Sequence, residues 1–72
     1  MSEIVDARGL SCPQPVLDTL NKIAAMGKGT IEVLVDTEAS KENVSRAATA
    51  KGWSLDGVVE NGGEYTITIS KD

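Results

Sequence analysis

The segment Thr30-Ile-Glu-Val-Leu-Val35 is an almost continuous apolar, β-branched run. A strand that is apolar at successive positions, rather than at alternate ones, belongs in the interior of a sheet. The rest of the 72-residue chain has to supply its neighbours. A chain this short buries only about 60% of its unfolded surface, which leaves one core, one domain over residues 1–72 and no room for a deep cleft.

The neighbours can be read on either side. Glu3 to Ala7 alternates loosely and carries Ile4 and Val5, a short first strand that gives way to a loop at Arg8-Gly9-Leu10-Ser11. From Pro13 the period changes: Val16, Leu17, Leu20, Ile23 and Ala24 fall on one helical stripe, which Gly27 closes. After the central strand, Thr30 to Val35, a second helix is expected over roughly residues 40–51. Ser40 is its candidate N-cap, Val44, Ala47 and Ala48 form a narrow apolar face, and Gly52 is placed for the C-terminal turn. Trp53, Leu55, Val58 and Val59 read as a third strand interrupted near Asp56-Gly57, with Trp53 a core anchor. Asn61-Gly62-Gly63 is a strong hairpin signal, and beyond it Tyr65, Ile67 and Ile69 alternate with Thr66, Thr68 and Ser70, predicting one buried and one exposed face.

The order βαβαββ defines an α+β fold, a two-layer α/β sandwich with both helices on one face of a four-stranded mixed sheet. The first two strands pair in parallel through a right-handed crossover, and the last two form an antiparallel hairpin. The chain shows no internal repeat, linker or low-complexity segment.

Composition excludes several functions. A formal net charge of −4 with scattered basic residues argues against direct nucleic-acid binding. The absence of histidine removes the commonest general base and metal ligand. The N-terminus lacks a basic region followed by an apolar stretch, and no apolar run approaches the ~20 residues of a membrane span, so a protein neither exported nor membrane-embedded is expected. The single cysteine forms no disulfide framework and suits a reducing compartment, the cytoplasm.

That cysteine lies in the most informative stretch, Asp6-Ala-Arg-Gly-Leu-Ser-Cys-Pro-Gln-Pro15. With Pro13 at the first helical position, Cys12 becomes the N-cap and Pro15 the third residue. The sulfur then faces the positive end of the helix dipole and the free amides of Gln14 and Val16, a setting that favours the thiolate. Arg8, expected to be solvated in the free protein, adds positive potential if it turns toward the sulfur. No histidine exists to activate a cysteine hydrolase, no second cysteine to run a dithiol cycle, and no ligand set to hold zinc, so neither metal nor cofactor is called for. What remains is chemistry of one sulfur acting alone, accepting a sulfane sulfur or joining a partner's cysteine.

The spacing of Asp6, Gly9, Cys12, Pro13 and Pro15 resembles the signature of the TusA/SirA-like proteins, in which a strand leads through a loop into a Cys-Pro-x-Pro helix start. The resemblance covers the whole chain and implies the same βαβαββ sandwich. It implies that Cys12 carries a persulfide received from a cysteine desulfurase or rhodanese-like donor and passes it to an acceptor protein, for tRNA thiolation or another sulfur pathway. It further implies that Pro13 and Pro15 shape the carrier loop. The segment from Val35 to Val44 is closer to the YedF-like branch, linked to sulfur or selenium metabolism, in which a DsrE-like domain often follows and is an acceptor candidate.

Each feature also has a plainer role. Asp6 is read as a turn-orienting acceptor of loop N–H groups and Gly9 as a residue at positive φ. Asp36, Glu38 and Glu42 are read as stabilising the start of the second helix, with Glu42 in its first turn, rather than as a metal or acid/base site. The competing function is a non-catalytic regulatory or interaction module in which Cys12 packs or senses oxidation.

Overall fold

The computed structural model describes residues 2–10 and 13–72. The expected order is observed: β1 (Ser2–Asp6), α1 (Gln14–Met26), β2 (Gly29–Val35), α2 (Glu38–Ala50), β3 (Ser54–Asn61) and β4 (Glu64–Lys71). The sheet runs β1-β2-β4-β3. β1 pairs parallel to β2, and β4 pairs antiparallel to both β2 and β3.

β2 is central, as its apolar run requires, and Ile31, Val33 and Val35 are fully buried. Across the β2–β4 ladder Ile31 faces Ile69 and Val33 faces Ile67, so one face of the sheet carries a continuous apolar stripe. Ile23 of α1 with Val44 and Ala48 of α2 cover it, joined by Ala7 and Trp53. On the opposite face Thr66, Thr68 and Ser70 were expected to be exposed but are half-buried, because β4 is an interior strand whose neighbours shade these side chains.

Helix ends explain the boundaries. Thr37, not Ser40, is the N-cap of α2, its hydroxyl accepting the Ser40 N–H at 3.1 Å. Ser40 is itself buried, one step of the Ser40, Val44, Ala48 stripe that faces the sheet. Starting at Glu38, the helix puts Glu38 rather than Glu42 in its first turn. Its C-terminus forms a full Schellman motif: Trp53 N–H donates to the Ala48 carbonyl and Gly52 N–H to the Thr49 carbonyl, with Gly52 at φ +86°. Trp53 is therefore the buried residue that closes the helix, and β3 begins after it.

The interruption expected in β3 is a bulge between Leu55 and Gly57, through which pairing with β4 continues. Gly62 and Gly63, at φ +61° and +86°, make the two-residue turn between Asn61 and Glu64.

Ile67 lies fully buried on the central stripe whereas Val59 is 64% exposed on the edge strand. Ile67→Val is expected to lower unfolding stability by about 0.5–1.5 kcal/mol and Ile67→Ala by about 2–5 kcal/mol in urea titrations. Val59→Ala should stay within about 0.5 kcal/mol of wild type. Equal costs at the two positions would show that the core has been misplaced.

Candidate functional site

The parallel pairing of β1 and β2 brings their C-terminal ends, Asp6 and Asp36, to one end of the sheet, where β4 also begins with Glu64. The loop into α1 leaves from that end. Ala7 is fully buried and extends the ladder, its N–H donating to the Leu34 carbonyl at 2.8 Å. Leu10 N–H closes a turn on the Ala7 carbonyl at 3.4 Å, and Gly9 sits at its third position with φ +78°, which the type II geometry reserves for glycine.

Asp6 holds this turn from inside. One of its oxygens accepts the Arg8 backbone N–H at 3.2 Å, and both accept the guanidinium in a fork, each at 2.9 Å. The third arm of Arg8 reaches the Glu64 carboxylate at 3.3 Å. Arg8 is exposed, as expected of a solvated residue, but it is ion-paired, and with two carboxylates on one guanidinium it supplies no net positive potential to the loop. Asp36, expected to serve the start of α2, instead accepts the Gly9 N–H at 2.8 Å. Helix α2 already has its own cap in Thr37, which leaves the Asp36 carboxylate free for the loop.

At the far end of the loop the helix starts one residue later than expected. Pro13, at φ −97° and ψ 16°, is the N-cap, its carbonyl accepting the Leu17 N–H at 3.0 Å. Gln14 is the first helical residue and Pro15 the second rather than the third, and Cys12 precedes the cap instead of forming it. Both prolines fall where an N–H has no intrahelical partner in either register, and the Leu17 N–H to Pro13 carbonyl bond is what makes Pro13 the cap. Pro15 is fully buried, and its carbonyl accepts the buried Thr19 hydroxyl at 2.8 Å, which fixes the first turn against the core. Gln14 is exposed and donates to Asp18 at 2.7 Å.

Cys12, with Ser11, lies outside the described residues. Of the sequence-nominated positions, Asp6, Arg8 and Gly9 thus form one fastened turn, and Pro13, Gln14 and Pro15 the helix start. Sequence reasoning missed Asp36 and Glu64 as fasteners. An acidic residue closing a strand beside a glycine-containing loop was the one available signal for Asp36.

The Arg8 guanidinium and then the Arg8 N–H hold the Asp6 carboxyl down from its ordinary 3.8 to about 2, and the Asp6 and then the Glu64 carboxylate raise Arg8 further above its usual range. Because the folded value is the lower one, the pair contributes fully above pH 3.8 and is lost as pH falls through about 2. An NMR titration of the Asp6 carboxyl carbon is expected to give a midpoint of about 2, returning toward 3.8 in Arg8→Ala. An ordinary midpoint in the wild type would remove the fork from the solution structure.

Among the described residues no helix is long and apolar enough to cross a membrane. The family described as sulfurtransferase TusA matches the chain over residues 3–71. Among solved structures, a SirA-like protein from Desulfitobacterium hafniense is similar at 30% sequence identity and a TM-score of 0.87, over 94% of this chain and 95% of that one. No curated protein gives a significant match. A family match over nearly every residue, joined to a shared βαβαββ fold, shows that the chain belongs to the TusA sulfurtransferase family.

Proposed function

We propose that this chain is a sulfur carrier in which Cys12 holds sulfane sulfur as a persulfide and relays it from one protein to another. Family membership supports the carrier role. The observation behind the finer reading is the place of the sole cysteine in the chain. It falls between a turn fastened to β2 and β4 and a helix whose first turn contains no acid. The Gln14 and Val16 N–H groups of that turn have no partner within the helix, so its positive end is left to stabilise an anion, and a thiolate is the nucleophile that persulfide exchange requires.

The groove between β1 and α1, lined by Ile4, Val5, Asp18, Asn21, Lys22 and Ala25, is open to solvent rather than closed around a substrate. Relay between proteins needs no closed pocket. The Cys12 thiolate attacks the outer sulfur of a donor persulfide, a new S–S bond forms as the donor's breaks, and the donor cysteine leaves as a thiolate. No net oxidation occurs, and delivery repeats the step with Cys12 as the leaving group. The donor is a cysteine desulfurase or rhodanese-like protein and the acceptor a second sulfur protein, DsrE-like among the candidates. The pathway is one of sulfur or selenium metabolism, such as tRNA thiolation.

The loop end of the molecule gathers Asp6, Asp36, Glu38, Glu60 and Glu64 around Arg8 and Lys41, and both cations are paired with these acids. Leu10 and Leu17 are exposed nearby, at 38% and 46%. Partners with a basic rim and an apolar centre complement this end, and any RNA is recognised by the partner.

Incubated with a cysteine desulfurase and cysteine, the wild type should gain the mass of one sulfur, lost again on adding dithiothreitol. Cys12→Ser should gain none while keeping its circular dichroism. An unmodified wild type beside a turning-over donor sinks the carrier reading. The loading rate at limiting donor is expected to fall about tenfold or more between low salt and ~0.5 M NaCl, where charges more than about 4 Å apart are screened. A salt-independent rate would mean that partners approach elsewhere.

A further inference from the structure

We propose that the free edge of β1 and the adjoining face of α1 form a self-complementary surface on which a second copy of this chain docks, related to the first by a two-fold axis at Ile4. Neither Cys12 nor its loop takes part.

The two edges of the sheet are not alike. β3 is interrupted by the bulge between Leu55 and Gly57, whereas β1 pairs with β2 without a shift over all five of its residues. The Ala7 N–H, which continues β1, donates to the Leu34 carbonyl, so the backbone groups of Glu3 and Val5, in step with it, also turn toward β2. Those of Ser2, Ile4 and Asp6 point the other way, where among the described residues no strand lies beyond them. An antiparallel copy centred on Ile4 answers them all: Ile4 exchanges both bonds with its counterpart, and Ser2 pairs with Asp6 of the other copy. Ile4 is 63% exposed, and the same axis sets the two isoleucine side chains next to each other.

Beside this edge α1 presents Asp18, Asn21, Lys22 and Ala25, which line the groove with Ile4 and Val5. Their spacing of i, i+3, i+4 and i+7 puts them on one face of the helix. Lys22 is held to Glu3 at 3.1 Å. Because α1 runs back along β1, four helical residues, ~6 Å, lead from Lys22 to Asp18 while two strand residues, ~6.6 Å, lead from Glu3 to Val5. Ile4 is thus level with the midpoint between Asp18 and Lys22. A two-fold axis there brings each Asp18 opposite the other copy's Lys22, an isologous contact in which every chain supplies both charges. Asp18 accepts the Gln14 amide at 2.7 Å and, among the described residues, meets no cation of its own chain. The spacing agrees as well. α1 packs on β1 and β2 alike, so its axis lies about one strand separation, ~5 Å, from the two-fold, and the two copies of α1 stand ~10 Å apart, the distance at which helices pack. The loop ends of the two copies point in opposite directions and both stay open.

Sedimentation velocity from about 10 µM to ~1 mM tests the dimer, since one short strand with one helix face is a small interface whose dissociation constant is expected on the order of 0.1 mM. Over the same range, amide exchange followed by NMR should show the Ile4 and Asp6 N–H groups protected at the highest concentration and exchanging at the lowest, with Val5 protected throughout. Ile4→Pro removes an outward N–H without touching the β1–β2 ladder and is expected to weaken association about tenfold or more while circular dichroism is unchanged. Should that variant fail to fold, Ile4→Lys, which sets two ammonium groups together at the axis, takes its place with the same expectation. Val59→Lys, on the β3 edge at a residue 64% exposed, should leave association as it is. Asp18→Lys and Lys22→Asp should each be monomeric alone and pair with each other on mixing, because each supplies the charge that the other now lacks. A wild type that stays monomeric at the highest concentration overturns the proposal, including one whose Ile4 amide becomes protected only when a different protein is added. A dimer indifferent to Ile4→Pro and Ile4→Lys lies elsewhere on the molecule and overturns it equally. Charge variants that do not pair on mixing remove the contact between Asp18 and Lys22, and with it the two-fold at Ile4.

Discussion

Burial of the β2 stripe against β4 is the contact on which the rest depends. Ile31, Val33 and Val35 lose all contact with water only because Ile67 and Ile69 stand opposite and both helices lie across them. Once β2 is interior, β1 must join it in parallel through α1, and a parallel pair ends its two strands at the same edge of the sheet. The meeting of Asp6, Asp36 and the start of α1 is thus a by-product of how the core is filled. The end of the sheet from which the proposed carrier loop leaves is set by topology before any side chain near it is chosen.

Electrostatics at that end are divided between backbone and side chains. The guanidinium that could have stabilised a thiolate is occupied by two carboxylates and serves instead to hold the turn. On the proposed carrier reading, the task of favouring an anion passes to the helix N-terminus, where the Gln14 and Val16 N–H groups have no partner within the helix and the first turn carries no acid. Backbone dipoles suit such a task because, unlike a surface arginine, they cannot swing toward the nearest carboxylate.

Features governed by neighbours in sequence were legible. Gly27, Gly52 and the Gly62-Gly63 turn stand where glycine alone meets the backbone torsion, and the alternation of Ile67 and Ile69 announces its buried face. The misreadings have a common cause. Thr37 and Ser40 are both competent caps, and only the sheet, which claims the Ser40 side of the helix, decides between them. Two closely spaced prolines left the start of α1 uncertain by one residue. Asp36 and Glu64 reach the loop across 27 and 56 positions of sequence, distances at which no local pattern records a contact. Family resemblance pointed to the loop; its fastening became visible only in three dimensions.

The bulge in β3 bears on how the molecule behaves in a crowd. β3 is an outer strand with Leu55, Val58 and Val59 exposed, the kind of rim onto which a stray chain can zip and seed insoluble fibres. At Asp56 the regular spacing of its pairing groups is broken, and an unpaired charged residue sits in the middle of the strand. A second strand laid along that rim would run out of register within a few residues and bury a carboxylate. The irregularity works against the outer strand recruiting copies of itself, a guard built into the rim of the sheet rather than into its core.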